Sequence, residues 1–176
     1  MDGNYHRPVN TTFRLSQVDD FGYGTGTVPG ASPGGEVEMY AAGAALNVGD
    51  VVYFSAAFSV NKSATAGTTL GKLAGVVVGG AKTDMRACTR KLDVGLQAAA
   101  TGEAVLVLVK GKTYVVAAAA LSAGDLVAAD TTTAGRVKAG THTTDLAAGN
   151  SGNLVGNLLE AAAGAASVAL ARINLQ

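Results

Sequence analysis

The stretch Ala44-Ala-Leu-Asn-Val-Gly-Asp-Val-Val52 returns 75 positions later as Ala119-Ala-Leu-Ser-Ala-Gly-Asp-Leu-Val127. The shared pattern, A-A-L-x-x-G-D-x-V, reads as a turn that opens a strand. Leu46 or Leu121 points inward, Gly49 or Gly124 takes a backbone conformation closed to other residues, and Asp50 or Asp125 accepts backbone N–H bonds in the turn. A paired-carboxylate site is the competing reading of the two aspartates. Gly-Asp at a strand entrance is ordinary turn chemistry, and Gly49, Asp50, Gly124 and Asp125 are taken here as structural.

Two further landmarks repeat in the same order. Leu73-Ala-Gly-Val-Val-Val78 is echoed by Leu154-Val-Gly-Asn-Leu-Leu159, and Ala98-Ala-Ala-Thr-Gly-Glu-Ala-Val-Leu-Val107 by Ala161-Ala-Ala-Gly-Ala-Ala-Ser-Val-Ala-Leu170. Three ordered echoes indicate an internal duplication, with halves at about 37–110 and 112–175. Between the landmarks lie short β-branched runs: Val51-Val-Tyr-Phe54, Val76-Val-Val78, Val105-Leu-Val-Leu-Val109 and Tyr114-Val-Val116. Glu36-Val-Glu-Met-Tyr40 alternates, which puts Val37 and Met39 on one face, and Val168 to Leu175 closes the last strand. Helix is the rival for Ala98-Ala-Ala100 and Ala161-Ala-Ala163, since alanine is the best helix former. Glycine punctuates these stretches and no 3.6-residue stripe persists. The expectation is an all-β domain over 36–176, a small β-barrel or sandwich closed by two related halves.

Residues 1–35 differ. They hold all three prolines (Pro8, Pro29 and Pro33) and seven glycines, which predicts an extended arm rather than a compact element. Four of the nine aromatics, Tyr5, Phe13, Phe21 and Tyr23, fall there. Solvated tails are poor in aromatics, so these four are candidate anchors on a partner surface. Within the first half, the insert Lys82-Thr-Asp-Met-Arg-Ala-Cys-Thr-Arg-Lys91 carries Lys82, Arg86, Arg90 and Lys91. It reads as a solvated hairpin that could also meet an acidic partner face.

The chain has 176 residues, 13 Lys+Arg against 13 Asp+Glu, and an apolar share of 48%. A neutral chain has no field to displace counterions from a phosphate backbone, so no nucleic-acid partner is expected. No apolar run approaches the roughly 18 residues of a membrane span, and the first residues lack a secretory h-region. Cys88, the single cysteine, reads as a small hydrophobe in a reducing compartment. Catalytic constellations are missing. His6 and His142 have no metal-ligand spacing, Gly111-Lys-Thr113 would need glycine where Leu106 stands, and no nucleophile elbow occurs. The expectation is a non-enzyme without cofactor or metal. A core of Ala, Val and Leu is marginal alone, which points to work in an assembly.

The succession Leu46 to Val52, Gly75 to Val78, Ala99 to Gly111 and Leu121 to Val127 resembles the capsid cement (head decoration) proteins of tailed bacteriophages, over about Val37 to Leu175. The resemblance implies a small β-barrel or tulip-like fold, and homotrimers at three-fold or quasi-three-fold positions of an icosahedral head. The trimers would clamp neighbouring subunits of the major capsid protein, after synthesis in the host cytoplasm. The arm lies outside the shared pattern. The alternative is a carbohydrate- or receptor-binding β module of a fibre or spike, which requires clustered exposed aromatics in loops of the folded core.

Overall fold

A computed structural model describes residues 13–14, 35–62, 73–88, 90–141 and 154–175, of which 13–14 are described by their backbone. Twelve strands occur among these residues: β1 (Phe13–Arg14), β2 (Glu36–Ala42), β3 (Leu46–Asn47), β4 (Val51–Ala56), β5 (Ser59–Asn61), β6 (Leu73–Gly80), β7 (Gln97–Ala99), β8 (Ala104–Val116), β9 (Leu126–Ala129), β10 (Val137–Ala139), β11 (Leu154–Leu158) and β12 (Val168–Asn174). The protein is all-β, and the only helical turns described are the 3-10 turns Ala81–Thr83 and Lys91–Asp93. The alanine runs follow the glycine punctuation: Ala98 and Ala99 lie in β7, and Ala162 bridges Leu121.

The first half closes a five-stranded barrel, β2-β5-β4-β6-β8, in which β8 returns to pair with β2. The second half repeats the same order. The far end of β8 pairs with β12, then β11, β9 and β10 follow, and a single parallel bridge, Ala117 to Val137, returns to the end of β8. That bridge is the counterpart of the parallel pair Ala42–Val60 between β2 and β5. The first half thus closes the barrel, and the strands of the second half continue the same sheet; the 13-residue β8 serves as the last strand of the first and the opening strand of the second. The repeat boundary at residues 110–112 falls in mid-strand, so no linker separates the halves.

Hydrogen bonds set the alignment of the repeats. Gly49 N–H donates to Val77 O and Val77 N–H to Asp50 O, and Gly124, Leu158 and Asp125 make the same exchange. The third echo needs correction by one residue along the strand. Gly102 N–H donates to Ala42 O as Ala166 N–H donates to Ala117 O, and Gly102 and Ala166 both have positive φ. Val105 thus corresponds to Ala169, not Val168. A slip of one residue exchanges the two faces of a strand, and these bonds decide the register where letter matching cannot.

The core explains the near-continuous valine runs. One cluster is drawn wholly from the first repeat: Ala42, Leu46, Val48, Val52, Val60, Ala74, Val77, Ala98, Ala99, Val105 and Val107. The other joins Val115, Val127, Val155, Leu158, Ala169, Ala171 and Ile173 to Val51, Val76, Val78, Leu106 and Leu108 of the first repeat. Alternate residues of β4, β6 and β8 thus face different cores, and strands buried on both sides have no polar face. Val37 and the half-buried Met39 share the second cluster, as their alternation predicts. Each buried valine or leucine contributes roughly 1.5–3 kcal/mol. Truncating Leu46, fully enclosed, to Ala would cost about 2–5 kcal/mol.

Candidate partner-binding surfaces

Of the arm residues singled out as anchors, Tyr5, Phe21 and Tyr23 lie outside the described residues. Phe13 is in β1, whose backbone pairs antiparallel with β2, Phe13 opposite Val37 and Arg14 opposite Glu36. Part of the arm therefore adds a strand to the edge of the first barrel.

The basic insert is not a hairpin. Two 3-10 turns replace it, because its side chains cap backbone locally. Thr83 Oγ1 accepts Gly80 N–H at 2.8 Å, and the buried Asp93 carboxylate accepts Arg90 N–H at 3.3 Å and Arg90 Nε–H at 3.2 Å. All four bases have carboxylate partners in the chain itself: Lys82–Glu103 at 3.0 Å, Arg86–Asp84 at 3.7 Å, Arg90–Asp93 at 3.1 Å and Lys91–Glu160 at 2.7 Å. The Ala100 N–H and Lys82 hold the Glu103 carboxyl below its usual range, and Lys91 does the same for Glu160. An acidic partner face would have to compete with these pairs. Cys88 is half-buried against the first core cluster, and burial pushes its thiol up, as expected of a small hydrophobe.

Lys91–Glu160 ties the insert to the second repeat. Three leucines on the two stretches so joined are exposed: Leu92 by 88%, Leu96 by 49% and Leu159 by 38%. Large side chains this exposed on hydrogen-bonded turns, with neighbouring charges already paired, suit a desolvated contact with a polar rim. In the sequence the charges of the insert stand out and these leucines do not. Leu92 lies between Lys91 and Asp93 with no periodic pattern to flag it.

Two phenylalanines of the first barrel are also exposed. Phe58, at the tip of the β4–β5 hairpin, is 66% exposed with φ 57°, a conformation bulky residues rarely adopt. Phe54 stands in edge-to-face contact with Tyr40, ring centroids 5.2 Å apart. The Tyr40 hydroxyl donates to the Glu38 carboxylate, and burial and that partner push it up.

The two glycine turns are superimposable in their bonding. Asn47 N–H donates to Asp50 Oδ2 at 2.8 Å, Ser122 N–H to Asp125 Oδ2 at 2.7 Å, and φ is 92° at Gly49 and 91° at Gly124. Asp50 also receives Lys62 Nζ at 3.2 Å. Burial raises the Asp50 carboxyl, opposed by the Asn47 N–H and Lys62. The aspartates serve separate turns in separate repeats. Among the described residues no group of three His, Cys, Asp or Glu side chains could hold a metal ion, and no helix is long and apolar enough to cross a membrane. His6 and His142 lie outside the described residues.

No protein-family profile matches the chain, and comparison with curated proteins returns no match either.

Proposed function

We propose that this protein is a capsid cement protein. It coats the outside of a phage head as a homotrimer and stabilises the shell by clamping neighbouring major capsid subunits. The observation that carries the reading is the exposure of three large apolar side chains, Leu92, Leu96 and Leu159, near charges that are paired within the chain, so burying these leucines desolvates little uncompensated charge. The β1 strand supports it, since an arm that pairs with one sheet edge has the backbone chemistry to pair with others. Binding that favours the closed shell over the ruptured one stabilises the head by mass action.

The test is decoration of expanded, undecorated heads assembled from the major capsid protein of the same genome, read by electron microscopy and by sedimentation. The full chain is expected to decorate and to raise the rupture temperature. Leu92→Asp, at a fully accessible position, should weaken attachment at least about tenfold without shifting the unfolding midpoint. Removal of residues 1–35 should weaken attachment while the barrel stays folded. Heads left bare by the full chain would overturn the proposal, and equal decoration by the truncated chain would remove the docking role of the arm.

The second reading, a carbohydrate- or receptor-binding module of a fibre or spike, gains support from Phe54, Phe58 and Tyr40. Phe58 is an exposed aromatic on a loop of the folded core, as this reading requires, while Phe54 and the half-buried Tyr40 stand on strands. A glycan array decides it, with binding abolished by Phe58→Asp as the expected signature.

A further inference from the structure

Matched positions of the two repeats are filled in different ways. Ala42 N–H donates to Glu103 O as Ala117 N–H donates to Ser167 O, and Gly43 and Ala118 make the matching bonds to Val60 O and Val137 O. The register of β2 is unbroken from Val37 to Ala41, as is that of β8 against β12, so Glu38 corresponds to Thr113 and Tyr40 to Val115. Phe54 lies opposite Val60 as Ala129 lies opposite Val137, so these two correspond as well. In the second repeat all three side chains are enclosed: Thr113 is 1% exposed, Val115 0% and Ala129 1%. In the first repeat Phe54 is 37% exposed, and Glu38 and Tyr40 are half-buried. Three small side chains suffice to close this level of the second repeat. The first puts a carboxylate and two aromatic rings there, within reach of solvent.

The three groups form one unit. Tyr40 and Phe54 meet edge to face, with ring centroids 5.2 Å apart and planes at 80°. Two rings at right angles bound a corner, and a cation seated in it lies within about 6 Å of both centroids, the range over which a ring quadrupole attracts it. The Tyr40 hydroxyl donates to the Glu38 carboxylate. That bond holds the carboxylate at the hydroxyl end of the Tyr40 ring, and it polarises the phenol so that the ring face gains negative charge. Among the described residues no lysine or arginine pairs with Glu38, whereas the four bases of the insert all have acids of their own.

We propose that Glu38, Tyr40 and Phe54 bind the arginine side chain of a partner protein. Arginine fits better than lysine because its planar guanidinium stacks on a ring and keeps in-plane N–H groups free to fork onto a carboxylate. A guanidinium lying on the Tyr40 ring presents those groups toward Glu38. A neutral occupant would desolvate the carboxylate without supplying a counter-charge, which is costly. The inference does not depend on the cement reading, since it names the side chain recognised rather than the protein that carries it.

The experiment follows the aromatic ring signals of the full chain by NMR while N-acetyl-arginine amide is added to about 50 mM, well above the millimolar dissociation constant of a ligand with one charged anchor. Saturable shifts of the Tyr40 and Phe54 signals are expected. N-acetyl-citrulline amide, neutral and of nearly the same shape, should leave those signals in place, and the lysine amide should bind at least about threefold more weakly. Glu38→Gln removes charge and keeps shape, so it should weaken arginine binding at least about tenfold with an unchanged unfolding midpoint. Phe54→Leu keeps apolar bulk and removes one ring, for a loss of at least about threefold. Ring signals that do not respond to arginine, citrulline or lysine binding as tightly as arginine, or wild-type affinity in either variant would each overturn the proposal. Shifts of the same rings by a methyl glycoside in place of arginine would overturn it in favour of a glycan.

Discussion

The Gly49 and Gly124 turns have the same sequence pattern, the same φ and the same carboxylate bond to a backbone N–H three residues earlier. Gly49 nevertheless lies buried beneath Val94 and the β8 edge, while Gly124 is open to solvent. Local chemistry sets the form of each turn, and the surroundings set what a change there costs. In the first repeat Val94 and the edge of β8 cover the turn, whereas among the described residues nothing lies within 4 Å of a Cβ added at Gly124.

This difference is most directly broken at the glycines. Gly49→Val should destabilise by about 3–5 kcal/mol, because left-handed strain adds to overpacking against Val94 Cγ1, 2.9 Å from the new Cβ. Gly124→Val, which meets strain alone, should cost about 1–3 kcal/mol. Urea unfolding of the two variants checks the ranking, and equal losses would mean that the cover over Gly49 yields freely.

A smaller effect separates two carboxylates of the two repeats by the sign of their pH dependence. Burial raises Asp50 above the ordinary aspartate value. Its contribution to stability is therefore full below that value and fades as pH rises through the raised one. Burial also acts on Asp130, but N–H and hydroxyl bonds from Thr132 and Thr133 outweigh it and hold the carboxyl low. That contribution is present above the ordinary value and is lost as pH falls through the lowered one. Asp130→Asn should cost about 1–2 kcal/mol at neutral pH, a deficit that shrinks in acid. Asp50→Asn should behave oppositely, losing ground to the wild type as pH falls toward about 4. Chemical denaturation across that range measures both.

The smallest expected change is at the tie between insert and second repeat. Lys91→Ala should shift stability by no more than about 0.5 kcal/mol, since both partners of the 2.7 Å pair with Glu160 are well exposed. A larger loss in thermal unfolding would show that the pair holds the cover over Gly49 in place.

Much of the fold was legible before the structure. The duplicated A-A-L-x-x-G-D-x-V pattern located both turns, and the β-branched runs located the principal strands, because turn geometry and strand preference are local properties. The register of the third echo was not legible. Ala, Val and Ser match at either offset, and the hydrogen bonds of Gly102 and Ala166 distinguish them. The surfaces were the least readable part. Phe58 and Leu92 are ordinary letters until neighbours are seen to leave them exposed, while Lys82, Arg86, Arg90 and Lys91, conspicuous in the sequence, prove to be balanced by acids as distant along the chain as Glu160.

By itself the sequence determined an all-β body of two related units, since glycine-hinged turns and short β-branched runs act over a few residues. Only the tertiary structure decided that the first unit closes a five-stranded barrel, that β8 belongs to both units, and that Gly124 is exposed while Gly49 is buried. Those outcomes depend on which strand edges meet across long separations, and a strand edge carries the same backbone groups whatever its side chains.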